Sequence, residues 1–214
     1  MYTRKTFQEA RREGNLKLSF VGMSNAGKST RAKMLRNKGG FLWHHIDEAI
    51  QSELHLENMD TMAEWLGYPG SESYEKNSEV YLALEDKYTR ESILDTREGS
   101  AILDTTGSVV HLPQTTLQLL REHSCVVHLA VSEKSVAELV ERYFKVQKPV
   151  IWGDSFTAEI GETIEQSLRR SYPQLLATRM HKYERLAHVT LRAERIYSLT
   201  VDELLSEIEK KIKN

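Results

Sequence analysis

The chain has 214 residues, a formal net charge of −2 and 40% hydrophobic residues, enough for one full core and too little for two ordinary domains. The balanced charge excludes a nucleic-acid binder held by phosphate neutralisation, and the lone cysteine, Cys125, excludes an internal disulfide framework. No run reaches the ~18 apolar residues that span a bilayer, and residues 1–17 carry five Lys/Arg and two Glu without an apolar signal core. The chain therefore reads as one cytoplasmic domain, 1–214, that opens with a polar arm at 1–16 and interacts with no membrane and no nucleic acid.

Short apolar runs alternate with segments of helical period, the pattern of an α/β fold built on a parallel sheet. The first expected strand, 16–22, runs into Gly22-Met-Ser-Asn-Ala-Gly27-Lys28-Ser29-Thr30, which fits the phosphate-loop pattern G-x-x-x-x-G-K-[ST] in the required context between a strand and a helix. Its glycines let the backbone curl until successive N–H groups face phosphate oxygens, and the following helix adds its N-terminal donors and dipole. On this reading Gly22, Ser24, Asn25, Ala26, Gly27, Lys28, Ser29 and Thr30 hold a nucleotide. Lys28 reaches the terminal phosphates and Ser29 holds Mg²⁺. The helix that begins at Lys28 should stop near Gly39 and Gly40.

A second strand, 41–46, delivers His45, Asp47 and Glu48 to the same edge. A carboxylate there can accept the proton of a hydroxyl that attacks the γ-phosphate. His44 and His45 suggest a metal, but neighbours on a strand point to opposite faces, so no transition-metal site is expected. Thr61-Met-Ala-Glu64 reads as a capping box for a short helix that ends around 67–70, and a long polar segment, 72–94, follows.

The third strand, 100–105, ends in Asp104-Thr-Thr-Gly107. An acid in this place orients Mg²⁺ in phosphotransfer proteins, and Gly107 falls at the carboxyl end of the sheet, where ligands bind; the competing reading is an Asp that merely starts a turn. The same residues spell the D-x-x-G of GTPases, but no N-K-x-D follows the fourth strand, 125–131. Ser132 is a plausible cap for a helix carrying Val136, Leu139, Val140 and Tyr143. The lid-like segment 145–172 includes Trp152-Gly-Asp-Ser-Phe156, an aromatic surface with a hinge glycine or else a helical insert packed on the sheet. After a fifth strand, 188–191, Thr200 and Glu203 box the last helix, whose Val201, Leu204, Leu205, Ile208 and Ile212 share one face.

In this order and at nearly the right spacing, the pieces resemble the shikimate kinase family of P-loop small-molecule kinases from about Lys17 onward. The family's loop, G-x-x-G-x-G-K-S-T, is matched except that Asn25 stands at its second glycine. Its D-[ST]-D-x-x-I is matched by Asp47-Glu-Ala-Ile50, which makes Asp47 the substrate ligand and base by resemblance, with His45 at the first, Mg²⁺-placing Asp and Asp104 free to take over that charge. S-I-A-E-I-F resembles Thr61-Met-Ala-Glu-Trp-Leu66. The carboxylate-gripping arginine of G-x-x-x-F-R-x-x-E is Glu75 here and its acidic partner is Ser78, while Thr105-Thr106-Gly107 replaces G-G-G. Lys148-Pro-Val-Ile resembles the lid's R-P-L-L, Arg179-Met-His-Lys-Tyr183 matches R-x-x-x-Y, and Arg142 lies near the adenine-stacking arginine.

The resemblance implies a five-stranded parallel sheet of order 2-3-1-4-5 with helices on both faces, ATP and Mg²⁺ as cofactors, and phosphoryl transfer to a small hydroxylated acceptor, shikimate first. Lys28, Asp47 and Lys148 would be catalytic, Ser29 and Asp104 would bind metal, and Asp47, Gly107 and Arg179 would bind substrate in a protein read as a monomer. A kinase of another polyol, sugar acid or nucleotide, a regulatory NTPase, and a nucleotide-binding pseudo-kinase remain open.

Overall fold

The computed structural model describes residues 2–95, 97–145 and 148–212, without the side chains of Glu133, Ser135 and Arg142. In chain order the elements are α1 (Arg4–Arg12), β1 (Lys17–Val21), α2 (Lys28–Gly39), β2 (Leu42–His45), α3 (Ile46–Glu53), α4 (Met59–Leu66), α5 (Tyr74–Ile93) and β3 (Ala101–Asp104). After the 3₁₀ turn Val109–His111 come α6 (Gln114–His123), β4 (Cys125–Ala130), α7 (Glu133–Tyr143), α8 (Ile164–Leu186), β5 (Val189–Arg192), α9 (Ala193–Ile196) and α10 (Val201–Lys211).

The strands form one parallel sheet in the expected order β2-β3-β1-β4-β5. Alternation along each strand divides the core between two faces. Leu18, Phe20, Ile102, Cys125, Val127 and Leu129 pack beneath α1, α2 and α10. Val21, Leu103 and Val126 pack with α3 to α8 on the other face. The register sets Phe20 of β1 and His45 of β2 beside Asp104 of β3, so these three strand ends reach one edge together.

Three local expectations need correction. The polar arm is a helix: α1 carries an inward Phe7 at 0% exposure, seated in the core beside Leu204, Leu205 and Ile208 with Ala10 packed against the same cluster. Arg4 caps the far end of α10 by donating to the carbonyls of Glu209 at 3.2 Å and Lys210 at 2.9 Å, satisfying groups that a helix C-terminus leaves orphaned. In α4 the capping box is Asn58 with Thr61, not Thr61 with Glu64, since the Asn58 side chain reaches both the Asp60 and Thr61 N–H groups. Trp152 is a core residue with 0% exposure rather than a surface that closes, packed edge-on to Tyr143 and Phe156. The polar stretch 72–94 is the long helix α5, and the last helix keeps its Thr200–Glu203 box. Among the described residues no helix is long and apolar enough to cross a membrane.

Phe7→Ala should lower the unfolding free energy in urea by about 3–5 kcal/mol, the usual cost of emptying an aromatic site in a core. A loss below about 1 kcal/mol would mean that α1 is not part of the cooperative unit.

Candidate active site

The loop after β1 is shaped by three residues of positive φ. Gly22 has φ +144°, and a Cβ there would stand 2.7 Å from the Leu129 carbonyl oxygen; Gly27, at φ +85°, opens α2. Between them Asn25 has φ 64°. Asn is one of the few side chains that tolerates this left-handed region, which explains how it can occupy a position where the resemblance calls for glycine. Its Oδ1 also accepts a hydrogen bond from Lys148 Nζ at 3.1 Å, so the lid-side lysine is tied to the loop.

The loop borders a cleft of about 670 Å³, whose other walls include Asp47, Tyr81, Gly107, Ser108, Lys148 and Arg179. Ser24, Asn25, Gly27, Lys28, Ser29 and Thr30 line this cleft, whereas Gly22 and Ala26 shape the loop from behind. Lys28 is buried and its Nζ donates to the Gly22 and Met23 carbonyls at 2.9 and 3.1 Å. Burial lowers its pKa, a shift opposed chiefly by Asp104 and Asp47.

Asp104 lies beneath the loop at 1% exposure, with no hydrogen-bond partner for either carboxylate oxygen. His45 Nε2 stands 3.6 Å from one of them, while its Nδ1 is 3.1 Å from Glu48 and its ring stacks on Trp43. Burial raises the Asp104 pKa, and Lys28, Ser29 and His45 draw it back down. A buried carboxylate beside a serine hydroxyl is a hard-oxygen donor set of the kind that suits Mg²⁺, an ion that takes one or two protein oxygens and fills its remaining positions with water and phosphate. His44 is drawn away to Asp95 at 3.3 Å, and among the described residues no group of three His, Cys, Asp or Glu could hold a metal.

On the opposite side of the cleft, Tyr81 donates to Asp47 Oδ1 at 3.2 Å. Arg179 is buried, donates through Nη2 to the Ile151 carbonyl at 2.5 Å and through Nε to His111 at 3.4 Å. Burial, then Arg179 and Lys182, push the His111 pKa down to about 3, so the ring is neutral and can accept from the guanidinium. Arg179 Nη1 points to Gly107, 3.5 Å from where a Cβ would stand, and Tyr183 donates to the Gly107 carbonyl.

Glu75 is exposed and lies outside the residues that line the cleft; it is Tyr74, its neighbour on α5, that turns inward, bonding the Val150 carbonyl at 3.3 Å and the Trp152 N–H at 2.8 Å. The glutamate at the family's arginine position therefore does not form part of the cleft wall. The Arg142 side chain lies outside the described residues. Sequence reasoning missed Tyr81, Glu85, Ser108 and His111. The available signal was the helical spacing of Tyr74, Tyr81, Glu85 and Thr89, all buried on one face of α5.

No protein-family model matches the chain. Over 190 residues it is 24% identical to a shikimate kinase of Chlorobium phaeovibrioides, covering 89% of this chain and 86% of that one. A shikimate kinase from Acinetobacter baumannii, solved in complex with shikimate, superposes with a TM-score of 0.60 at 18% identity, over 95% of this chain and 99% of that one. The chain is a homologue of the shikimate kinases and has the P-loop kinase fold. A shikimate kinase from Bacteroides thetaiotaomicron gives a TM-score of 0.58 at 17% identity, over 91% and 95% of the two chains.

Asp104→Asn should raise the Mg²⁺ concentration needed for half-maximal activity about tenfold, on the scale seen when a metal site loses a supporting charge. An unchanged Mg²⁺ requirement, measured by titrating the metal at fixed ATP, would return Asp104 to a turn-forming role.

Proposed function

We propose that the protein is an ATP- and Mg²⁺-dependent kinase that phosphorylates a hydroxyl of a small metabolite, with shikimate as the leading acceptor. The observation that carries this reading is the convergence of Asp47, Arg179 and the phosphate loop on one cleft. A nucleotide-binding switch needs the loop; it has no use for a half-buried carboxylate and an arginine across from it.

Each residue then has a definite task. Lys28, now bonded to two loop carbonyls, exchanges them for phosphate oxygens and stabilises the charge of the transferring group. Asp47, with one oxygen held by Tyr81, accepts the proton of the attacking hydroxyl. Lys148, held over the loop by Asn25, adds a second positive charge at the phosphates. Arg179 presents a guanidinium edge beside Gly107, the planar fork that matches a carboxylate. Mg²⁺, held by Ser29 and Asp104, would neutralise charge on the phosphates.

A second reading, a kinase of the same class with another polyol, sugar acid or nucleotide as acceptor, is favoured by one feature. The cleft wall near Lys148 includes Tyr143 and Tyr172, whose rings stack with centroids 4.4 Å apart, a surface suited to a larger or flatter partner than a small polyol. The deciding experiment is ADP release in the presence of shikimate and of a panel of hydroxylated metabolites. Release that depends on an acceptor supports a kinase and names its substrate; release without one points to an NTPase, and none at all to a pseudo-kinase.

Asp47→Asn should lower kcat by roughly 10²-fold, the scale of a lost general base, with little change in ATP affinity. If ATP binding weakens as much as the rate falls, Asp47 acts on the metal instead. Arg179→Lys should raise the acceptor KM by at least about tenfold while kcat falls less, because an ammonium cannot reproduce the fork; equal KM values in the two proteins would show that the acceptor carries no carboxylate at this position.

A further inference from the structure

Helix α5 turns polar side chains inward. Tyr81 and Glu85 lie one turn apart, and Glu85 is 0% exposed. One of its carboxyl oxygens meets the Thr106 hydroxyl and the other meets the Ser108 hydroxyl at 2.6 Å. Those two hydroxyls lie 2.9 Å from each other, and the Thr106 oxygen also accepts the Ser108 N–H at 3.0 Å. The three side chains form a closed ring of oxygen contacts, and each such contact requires one hydrogen. Two hydroxyls supply two hydrogens and the backbone N–H serves a separate contact, so the ring lacks one hydrogen whenever Glu85 is a carboxylate.

We infer that Glu85 is held as the neutral acid and is a positioning residue, whose proton completes the ring with Thr106 and Ser108 and fixes the Gly107–Ser108 edge of the cleft. That edge is the part of the site that faces Arg179 and the Ser24 N–H, so its placement sets where an acceptor can lie. The effect on phosphoryl transfer rests on the proposed kinase activity; the protonation and the ordering of the loop do not.

The surroundings agree with a neutral acid. Burial pushes the Glu85 pKa up to about 7, against the hydrogen bonds from Ser108 and Thr106, while Asp47 raises it further and Arg179 lowers it. The charged and titratable groups that face it are Asp47 on α3, Arg179 and Tyr183 on α8, Tyr81 on α5 and Lys28 on α2. Arg179 is already bonded to Ile151 and His111. Because the folded value lies above the ordinary 4.5, the stabilising contribution is complete below about pH 4.5 and is lost as pH rises through about 7. Loss of the proton leaves a buried charge and one contact without a hydrogen, which loosens the loop.

The test uses the whole protein. In carboxyl-¹³C-glutamate-labelled wild type, the Glu85 resonance, assigned through its own amide, should titrate with a midpoint near pH 7; a midpoint at or below about 4.5 overturns the proposal. Above the midpoint, the Ser108 amide should exchange about tenfold faster in wild type than in Glu85→Gln, whose amide keeps a donor in the ring at every pH. The ratio of acceptor kcat/KM in Glu85→Gln to that in wild type should rise about tenfold between about pH 6 and pH 8.5, a comparison that cancels the titration of ATP. Equal Ser108 exchange in the two proteins, or a ratio that stays flat in a protein with measurable turnover, overturns the positioning role. Absence of turnover with every acceptor counts against the proposed function alone, since the titration and the exchange still decide the state and the effect of Glu85.

Discussion

The contact between Gly22 and the Leu129 carbonyl governs the molecule. A side chain at Gly22 would come within 2.7 Å of that oxygen, so β1 can pass from sheet to loop this close to β4 only with glycine at the turn. Everything that defines the cleft is measured from this point. The loop curls back until Lys28 meets the carbonyls of Gly22 and Met23, α2 starts at Lys28, and the register of β1 with β3 sets Asp104 directly below. Gly22 supplies no chemistry and fixes the origin of the site.

Around that origin the chain buries several ionisable side chains, each of which is costly without partners. Lys28, Asp104, Glu85 and Arg179 are all buried. Each is stabilised differently: Lys28 by carbonyls and two carboxylates, Arg179 by a carbonyl and a neutral imidazole, Glu85 by hydroxyls. Asp104 lies among the Lys28 ammonium, the Ser29 hydroxyl and the His45 ring, groups that offset the cost of burying its carboxylate.

The loop, the strands and the order of the sheet were legible because their signals are local or binary: a six-position motif, apolar runs, and caps read over four residues. The positions of Asp47 and Arg179 in the cleft wall and of Asp104 at the end of β3 were legible because each sits at a strand end or on a recognisable motif. The inward face of α5 was not. Tyr74, Tyr81, Glu85 and Thr89 do have helical spacing, but an apolar-period test cannot find a face built from hydroxyls and a carboxyl. Helix α1 escaped for a related reason. Its single buried side chain, Phe7, is surrounded by charged residues, and what docks it is Arg4 capping a helix some two hundred residues later, a contact with no local signature. Glu75 follows the buried Tyr74 on the same helix, where a step of one residue rotates a side chain by roughly 100°, and so it is exposed.

The departures from the shikimate kinase pattern are coupled rather than scattered. Asn25 replaces a glycine, adopts its backbone conformation and contributes an oxygen that holds Lys148, itself a replacement for an arginine. Thr106 stands at another glycine of the family pattern, beside the Gly107 edge of the cleft, and brings in a hydroxyl that would be buried without a partner; Glu85 and Ser108 provide the partners. Reverting Thr106 removes a partner from both Glu85 and Ser108. Thr106→Gly would leave Glu85 bonded to Ser108 alone and so lose much of what holds it, which makes independent, additive effects of these substitutions the wrong expectation. The divergent residues form two small interlocked sets, each of which fixes a boundary of the cleft by side-chain hydrogen bonds where the family pattern has glycine and arginine.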